Sequence, residues 1–448
     1  MDFPALTQVG AIDFFSEYGK AIFNPTGIFY WTGRAKNEAR INATIGSARG
    51  KKSAIFDGAD DSAITLCIPS IKEMFPDFST EEVFPYAPEV GTPAFREAWK
   101  NWLLKKAGDQ ADEIRKYIMS PMIVPGITGA ISICTRLFVG EKKSIIVPDK
   151  RWENYDNIFF RNIGVHVEEF PAFQGQEFNQ EGLLESIRRV WLTQRCAVVL
   201  LNFPNNPTGY CPPKAAAREL VSAIQDLVEN RPDRKLVLLL DDAYEGYVYD
   251  EDAEVWSLFY HFVPAPNFIP IKLDGISKEM LWYGARIGAV TIALPEEWLG
   301  MKGVVNELEN KFKGVVRNTV SNCSLVAQSA AKQALQNPDQ VMAERQKTIS
   351  LLAERYHLMK QELAKVKTEI LQPDPFQGGF FCFINLAPEA GLKATEVCDH
   401  LLKQYQVGAV PLEREGINGI RLAFCGVESD DIPELCQSLE KAVNDLKK

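Results

Sequence analysis

The chain has 448 residues, of which 46% are hydrophobic and 24% charged, and its formal net charge is −10 at pH 7. These values are typical of a globular protein, and the length predicts more than one domain. The net acidity and the lack of clustered basic residues exclude a surface that follows a phosphate backbone, so nucleic acid is not an expected partner.

No stretch is apolar over the roughly 20 residues that a membrane-spanning helix requires, so no membrane partner is expected. The first residues lack the basic start, apolar run and small-residue cleavage site of a secretory signal. Nine cysteines occur singly and four histidines are scattered, a pattern that indicates neither a metal site nor a disulfide framework. The expected location is therefore cytoplasmic, with no bound metal.

Short β-branched runs recur between about residues 144 and 294: SIIVP, HVEEF, CAVVLLNF, LVLLLDDA, FIPIKLDG and IGAVTIAL. They are apolar on both faces, as strands covered by helices on both sides should be. Helical patterns separate several of them, most clearly over residues 213–230, which begin with prolines. Alternating strands and helices predict an α/β fold with a mostly parallel sheet.

A different pattern follows this region. From about residue 295 to 336 the chain reads as helical, and after it come a helix, FFCFINL, another helix and GIRLAF. This order predicts a second, smaller α+β unit joined to the first by a long connecting helix. No internal repeat or Pro/Ser-rich linker is evident, so we expect the two units to pack tightly.

In such a sheet, ligands bind beyond the carboxyl ends of the strands. After IMSPMIVP comes GITGAISICTRLFV, where the amides of Gly126, Ile127 and Thr128, with the Thr128 hydroxyl, could bind a phosphate at a helix N-terminus. Taken alone, a glycine before a helix is more often a simple turn. No nucleotide-binding glycine pattern is present.

Two further strand ends carry polar residues. PNNPTG follows CAVVLLNF and contains Asn206, whose amide could donate to a ligand oxygen. DDAYEGY follows LVLLL and places Asp241 at the strand end, with Tyr244 three residues on. A buried carboxylate is costly unless it is paired, so Asp241 is a functional candidate. Asp242 should point to the other side of the sheet, and we interpret it as structural.

The next strand ends near Lys278, and Arg286 follows eight residues later. A lone lysine after a strand is usually a surface residue. Here it accompanies amides suited to phosphate, an asparagine, a buried aspartate and an arginine, which together are what a pyridoxal phosphate site needs. The lysine binds the cofactor aldehyde covalently, the aspartate keeps the pyridine nitrogen protonated, and the arginine with the amides holds the phosphate.

NNPTG, DDAYEGY, SKEMLWYGARIG and IRLAF occur in the order and approximate spacing found in the class I aminotransferases of the fold type I pyridoxal phosphate enzymes. The chain resembles this family, which includes the aspartate aminotransferases, from about residue 41 to its end. The resemblance implies a large domain with a mostly parallel seven-stranded sheet covered by helices, plus a smaller α+β domain.

The same resemblance implies a division of the chain. Residues 1–60 would be an N-terminal segment that contributes to the small domain and to a dimer contact, residues 61–325 the large cofactor-binding domain, and residues 326–448 the small C-terminal domain. It also implies a homodimer with its active sites at the interface.

By resemblance, Lys278, Asp241 and Tyr244 are the expected catalytic residues. Lys278 would hold the cofactor and Asp241 its ring nitrogen, while Asn206 and Tyr244 would contact the ring oxygen. Trp152 would stack on the ring, with a core-filling role as the alternative. The phosphate would be bound by a larger set: Gly126, Ile127, Thr128, Ser277, Arg286 and, from the neighbouring subunit, Tyr86.

The substrate contacts follow in the same way. Arg421 in IRLAF would bind the substrate α-carboxylate through two donors, Gly46 would offer a backbone contact, and Phe381 an aromatic wall. Trp152 and Asn206 would also border the substrate. Arg317 lies where dicarboxylate-specific members carry a second arginine supplied by the partner subunit, although a solvated role on a polar helix is the alternative.

Two residues depart from the family pattern. Gly275 replaces a serine that many members use for the phosphate, so Ser277, Thr128 and backbone amides are expected to compensate. Tyr155 stands where a histidine often supports the aspartate that binds the pyridine nitrogen, which puts the support of Asp241 in question.

The predicted function is an aminotransferase that moves an amino group between an L-amino acid and a 2-oxo acid in two half-reactions, with Lys278 moving the Cα proton. Two alternatives remain open. One is another pyridoxal phosphate reaction on the same fold, such as a β- or C–S lyase, a decarboxylase or a cyclopropane-forming lyase, and the other is a non-catalytic binding protein. The sequence does not indicate whether the donor is dicarboxylic, aromatic or aliphatic.

Overall fold

The structure, a computed structural model, describes residues 27–74 and 78–447. Most of the expected N-terminal segment, residues 1–26, therefore lies outside the described residues. The strands in chain order are β1 Ile41–Asn42, β2 Arg49–Lys51, β3 Ala63–Thr65, β4 Met122–Val124, β5 Ser144–Pro148, β6 His166–Phe170, β7 Phe173–Gln174, β8 Glu177–Phe178, β9 Cys196–Asn202, β10 Lys235–Asp241, β11 Phe268–Gly275, β12 Gly288–Ile292, β13 Leu371–Pro373, β14 Cys382–Leu386, β15 Val407–Gly408, β16 Val410–Arg414 and β17 Ile417–Leu422.

The α-helices in chain order are α1 Ile28–Glu38, α2 Pro69–Glu73, α3 Thr80–Val83, α4 Pro93–Ala107, α5 Ala111–Arg115, α6 Gly126–Phe138, α7 Asn154–Asp156, α8 Gln180–Thr193, α9 Lys214–Glu229, α10 Ile276–Glu279, α11 Glu296–Gly300, α12 Val304–Thr319, α13 Leu325–Ala334, α14 Pro338–Lys365, α15 Ala394–Tyr405 and α16 Ile432–Leu446. Helix α7 continues as a π-helix over Asn157–Ile163. In the part of the chain that the structure covers, no helix is both long enough and apolar enough to cross a membrane.

The large sheet has seven strands in the order β4-β12-β11-β10-β9-β5-β6. Strand β12 runs antiparallel to both of its neighbours, and the other pairs are parallel. The six β-branched runs identified in the sequence form β5, β6 and β9 to β12. The predicted α/β fold with a mostly parallel seven-stranded sheet is therefore confirmed.

Each central strand faces two apolar cores, one on each side of the sheet. In β9, Val198 and Leu200 belong to the core that contains helices α6 and α12, whereas Val199 and Leu201 belong to the core that contains α8 and α9. Successive side chains of a strand point to opposite faces, so a strand buried on both sides must be apolar throughout.

The smaller unit contains a four-stranded antiparallel sheet in the order β13-β14-β17-β16. FFCFINL forms β14 and GIRLAF forms β17, as expected. Strand β1 pairs in parallel with β15, which attaches the described N-terminal residues to this unit. Strand β16 and helix α16 were not anticipated from the sequence.

The long connecting helix is α14, which has 28 residues and begins at Pro338, so it lies after the helical stretch at residues 295–336. That stretch contains three helices, α11 to α13. Gly303 and Ser321 explain the breaks, because both adopt positive φ angles, of 94° and 70°, that a continuing helix does not allow. Pro338 begins α14 at a position where its missing N–H costs nothing.

A cluster of buried charges joins α4 to the ends of β10 and β11. The Nζ atom of Lys106 lies 2.6 Å from Glu245 and 2.5 Å from Glu279. Lys272 Nζ lies 2.5 Å from Asp242 and 3.0 Å from the same Glu245. We call these five residues the lysine-carboxylate network. Burial alone would lower the pKa of Lys272, but the nearby carboxylates raise it above its usual value.

One further carboxylate and two tryptophan indoles contact the network. Asp274 lies 3.8 Å from Lys106 and 3.9 Å from Lys272, and it accepts a hydrogen bond of 2.9 Å from the indole of Trp99. The indole of Trp102 donates to Glu279 at 2.6 Å. Buried charges are tolerated only when they are paired and hydrogen-bonded, and these contacts supply partners of both kinds.

Lys106→Met should lower the free energy of unfolding by about 3 to 5 kcal/mol, because it leaves two buried carboxylates without their shared cation. The matched control is Lys105→Met, since the ammonium of Lys105 pairs at the surface with Asp339, whose side chain is 85% exposed. Guanidinium unfolding midpoints of the two variants measure the difference. Equal midpoints would show that the network does not stabilise the fold.

Candidate active site

A cavity of about 490 Å³ lies at the carboxyl ends of β9, β10 and β11. Residues from both units line it, which places it between the large and small sheets. Twelve residues predicted from the sequence border it: Gly46, Ile127, Thr128, Trp152, Asn206, Asp241, Tyr244, Ser277, Lys278, Arg286, Phe381 and Arg421.

Lys278 lies in α10, directly after β11, and its Nζ donates a hydrogen bond of 2.7 Å to the carbonyl oxygen of Gly46. The Tyr247 hydroxyl donates to the Lys278 carbonyl at 2.8 Å and fixes this turn. Among the described residues no carboxylate lies within ion-pair distance of Lys278. Burial lowers the pKa of Lys278 to about 8, and the cations Arg421 and Arg286 act in the same direction.

Asp241 is the last residue of β10 and is buried. The Tyr155 hydroxyl donates to Asp241 Oδ2, and the backbone amide of Ala243 donates to Oδ1 at 3.1 Å. Burial raises the pKa of Asp241 to about 6, while these two hydrogen bonds favour the carboxylate and limit the rise. Tyr155 thus supports Asp241 directly, at the position where the family pattern often has a histidine.

Arg286 and the N-terminus of α6 form one end of the cavity. Arg286 Nη1 donates to Ser277 Oγ at 3.1 Å and to the Tyr283 carbonyl at 3.0 Å. Gly126 lies behind Arg286 and does not line the cavity; its φ is +73°, and a Cβ there would collide with the guanidinium. The first amides of a helix have no intrahelical partners, so this end is suited to an anion.

The departure at Gly275 has a steric cause. A Cβ at this position would lie 2.6 Å from the carbonyl oxygen of Ile287 on the adjacent antiparallel strand segment. A Cβ on Gly288 would lie 2.5 Å from the carbonyl carbon of Gly126. These glycines let β11, β12 and the start of α6 approach backbone to backbone, and a serine at position 275 does not fit.

Arg421 of β17 is buried at the opposite side of the cavity. Its Nη1 donates to Asn206 Oδ1 at 3.2 Å and its Nη2 to the Thr44 carbonyl at 3.1 Å. The guanidinium carbon lies 4.4 Å from the centre of the Phe381 ring, and Nε has no hydrogen-bond partner. Within the described residues no carboxylate forms an ion pair with Arg421. A buried cation without a counterion is suited to bind a carboxylate ligand.

Gly46 and two aromatic rings shape the remaining wall. A Cβ on Gly46 would lie 2.8 Å from the Phe381 ring, so only glycine permits this approach. The Tyr244 ring packs edge-on against Phe381, with centroids 5.7 Å apart. Burial raises the pKa of Tyr244 well above its usual value, so its hydroxyl remains a hydrogen-bond donor.

Besides Gly126, two predicted residues lie outside this cavity. Tyr86 is 91% exposed. Arg317 lies on α12, also exposed, and donates to Ser321 Oγ at 2.5 Å. Both were expected to act on the site of a partner subunit, and these two roles stay predictions.

The cavity also contains residues that the sequence analysis did not propose for binding. They are Ile28, Ser47, Asn202, Ala243 and Tyr283. Asn202 ends β9 and could have been found by the strand-end rule, since its amide donates to the Asp241 carbonyl at 2.7 Å. The positions of Ile28 and Tyr283 depend on tertiary packing that no local signal reveals.

The chain was compared with known proteins. The family model described as aminotransferase class I and II matches residues 58–439. A mitochondrial aspartate aminotransferase of Schizosaccharomyces pombe is 25% identical over 382 residues, which cover 81% of this chain and 79% of the yeast protein. A probable aspartate/prephenate aminotransferase of Aquifex aeolicus is 26% identical over 373 residues, covering 81% and 84% of the two chains.

Solved structures show the same fold. An aminotransferase from Anaerococcus prevotii superposes with a TM-score of 0.80 at 24% identity, covering 96% of this chain and 99% of that one. A kynurenine aminotransferase from Pyrococcus horikoshii superposes with a TM-score of 0.77 at 17% identity, covering 98% and 100% of the two chains.

In protein free of any cofactor, the reaction of Lys278 with an amine-selective reagent should show a pH midpoint near 8, because burial favours its neutral form. Exposed lysines should instead show midpoints near about 10.4. Peptide mass spectrometry after brief labelling gives the rate at each lysine, with Lys278→Arg as the background. A Lys278 midpoint equal to that of exposed lysines would contradict the lowered pKa.

Proposed function

The chain belongs to the class I and II aminotransferase family, and we propose that the cavity between its two sheets is where this pyridoxal phosphate-dependent enzyme transfers amino groups. The observation that carries the proposal is the placement of two cations that have no carboxylate partner among the described residues, Lys278 and Arg421, around one cavity with the buried carboxylate of Asp241. The reactants are an L-amino acid and a 2-oxo acid, which alternate in a ping-pong reaction.

The residues present fit pyridoxal 5'-phosphate. Lys278 offers an amine with a lowered pKa, Asp241 offers a carboxylate held by two donors, and Arg286 with the N-terminus of α6 offers an anion site. Glycine at position 126 leaves room for the Arg286 guanidinium, because a Cβ there would collide with its Nη2 atom. When bound, the cofactor supplies an aldehyde that captures amines and a ring that accepts electrons from the substrate Cα.

Lys278 holds the cofactor and then moves the proton of the substrate Cα. A neutral amine is required for both tasks, and a pKa of about 8 leaves a substantial neutral fraction near neutral pH. The hydrogen bond to the Gly46 carbonyl orients the amine toward the cavity. An ordinary lysine pKa would leave almost all of it protonated.

Asp241 would pair with the pyridine nitrogen of the cofactor and keep it protonated. Its pKa of about 6 keeps it mostly ionised at neutral pH, and an ionised carboxylate stabilises the protonated ring. The donors from Tyr155 and Ala243 fix the orientation of the carboxylate. Tyr244, which remains protonated, and Asn206 would donate to the ring oxygen of the cofactor, and Trp152 would stack on its ring face.

Arg421 binds the substrate α-carboxylate. Its unpaired Nε and its planar guanidinium can form two parallel hydrogen bonds with a carboxylate. The contact with Asn206 connects this group to the cofactor-binding residues, so the substrate and the ring are aligned by shared contacts. Phe381 supports the guanidinium from one face.

We further propose a cytoplasmic homodimer with the three-part division given above, at residues 1–60, 61–325 and 326–448. Tyr86 and Phe84 are 91% and 81% exposed in the single chain, and clustered exposed aromatic side chains mark interaction surfaces. The pairing of β1 with β15 supports assigning the N-terminal segment to the small domain. Nine free cysteines support a reducing compartment.

The first test is the visible absorbance of the cofactor-loaded protein during addition of single amino acids without any 2-oxo acid. At least one donor should bleach the band, and a 2-oxo acid should restore it. Asp241→Asn should slow this change at least about a hundredfold, because the ring loses its counter-charge. Turnover without a 2-oxo acid would indicate a lyase instead, and a band that no donor changes would contradict amino-group transfer.

Shared active sites can be tested with heterodimers. Chains carrying Lys278→Ala alone, or Lys278→Ala with Tyr86→Phe, are each mixed with the unaltered chain and the heterodimers are purified by tag. In each heterodimer only the unaltered chain keeps Lys278, so one functional active site remains. The two heterodimers differ only at position 86 of the other chain. Loss of a hydrogen bond to a charged phosphate should weaken cofactor binding at that site by about tenfold or more. Equal cofactor affinity would exclude a contact from Tyr86.

A further inference from the structure

A second cavity of about 430 Å³ adjoins the first and extends it beyond Arg421. Six residues border both cavities: Ile28, Gly46, Thr128, Trp152, Asn206 and Arg421. A substrate whose α-carboxylate lies on Arg421 and whose Cα faces Lys278 would therefore have this second space open to its side chain.

The walls of the second cavity are largely apolar. Ile28 comes from α1, Ile45 follows β1, and Val410 and Leu412 come from β16. These side chains suit a methylene stem, because apolar surface removed from water contributes about 25 cal/mol per Å². The volume admits a side chain much longer than that of alanine.

Glu153 lies on the polar side of this cavity and is mostly buried. Burial raises the pKa of Glu153, whereas the charges of Arg421 and Arg414 and the backbone amide of Ile28 favour its charged form. Within the described residues no cation lies within ion-pair distance of its carboxylate. A substrate carboxylate on Arg421 would neutralise that arginine and leave Glu153 with less compensation.

The other charged residue of this cavity is already neutralised. Arg151 lies 2.7 Å from Asp156 and 2.7 Å from Glu169. Arg414, on the same strand as Leu412, does not line the cavity and contacts Asp156 at 3.4 Å. Glu153 is thus the charge that a substrate side chain would meet.

We propose that the second cavity receives the side chain of the amino donor and that Glu153 selects a basic one, an apolar stem that ends in an ammonium or guanidinium group. This inference rests on the proposed function of the first cavity. The stem packs on the apolar walls and the cation pairs with the carboxylate. A side-chain carboxylate would face a like charge, so dicarboxylic donors are disfavoured.

Glu153 also contacts the start of α1. A Cβ on Gly27 would lie 2.6 Å from its Oε2, and the amide of Ile28 favours its charge. A purely structural role as a cap for α1 is therefore the competing explanation. Substitution by glutamine separates the two, because glutamine keeps the size and one acceptor for the Ile28 amide but removes the charge.

The experiment compares lysine, norleucine and glutamate as donors in the absence of 2-oxo acid, with the cofactor-loaded protein and its Glu153→Gln variant. Norleucine has the lysine stem without its ammonium group. Lysine should complete this half-reaction with a higher second-order rate constant than norleucine and glutamate. The variant should lose at least about tenfold for lysine, change little for norleucine and gain for glutamate. Glu297→Gln, an exposed carboxylate on α11, controls for net charge.

Binding of α-methyl-lysine and α-methyl-norleucine, which have no Cα proton to lose, is measured by calorimetry on the same proteins. Tighter binding of the lysine analogue that depends on Glu153 supports the inference, even when no donor reacts. The failure of every donor to react would contradict the proposed function instead. Equal loss for all donors with a lowered melting temperature would assign Glu153 to capping and overturn the inference. A preference for glutamate that Arg317→Glu abolishes would also overturn it.

Discussion

Glu245 holds two buried lysines with one carboxylate, and the geometry of the active site depends on this contact. The alternation of β10 directs Asp241 to the cavity side of the sheet, and the neighbouring Asp242 enters the lysine-carboxylate network. In the same way, Lys278 of α10 lines the cavity, whereas its neighbour Glu279 belongs to the lysine-carboxylate network. One residue of each adjacent pair faces the cavity and the next one belongs to the network, so the network fixes the backbone that carries the two cavity-facing side chains.

The cations of the lysine-carboxylate network and those of the cavity have different surroundings. Behind the sheet, each of the two buried lysines lies within 3.0 Å of two carboxylates. In the cavity, Lys278 and Arg421 have no such partners within residues 27–74 and 78–447, and burial lowers the pKa of both. Buried cations without counterions cost stability, and ligands with carboxylate or aldehyde groups relieve that cost when they bind. The paired charges of the network thus stabilise the backbone around a cavity whose cations remain available to a ligand.

The sequence predicted those parts of the fold and site that local rules govern. Apolar runs indicated the central strands, and the strand-end rule found Asp241 and Lys278 because the carboxyl ends of parallel strands meet at one edge. The network could not be predicted, since Lys106 looks like half of a surface doublet and meets Glu245 across 139 residues of chain. The break at Gly303 and the steric need for Gly275 likewise depend on backbone conformation and on neighbours that are distant in sequence.

The proposed pocket for the substrate side chain contains residues from three parts of the chain. Ile28 comes from α1, Glu153 from the loop before α7, and Leu412 from β16 beside the strand that carries Arg421. Ile28 and Leu412 accompany the smaller unit, because α1 packs on β15 and β16 pairs with β17, whereas Glu153 comes from the large unit, as Lys278 and Asp241 do. Under the proposed function, the relative position of the two units would therefore affect both the alignment of the substrate Cα bond and the fit of its side chain.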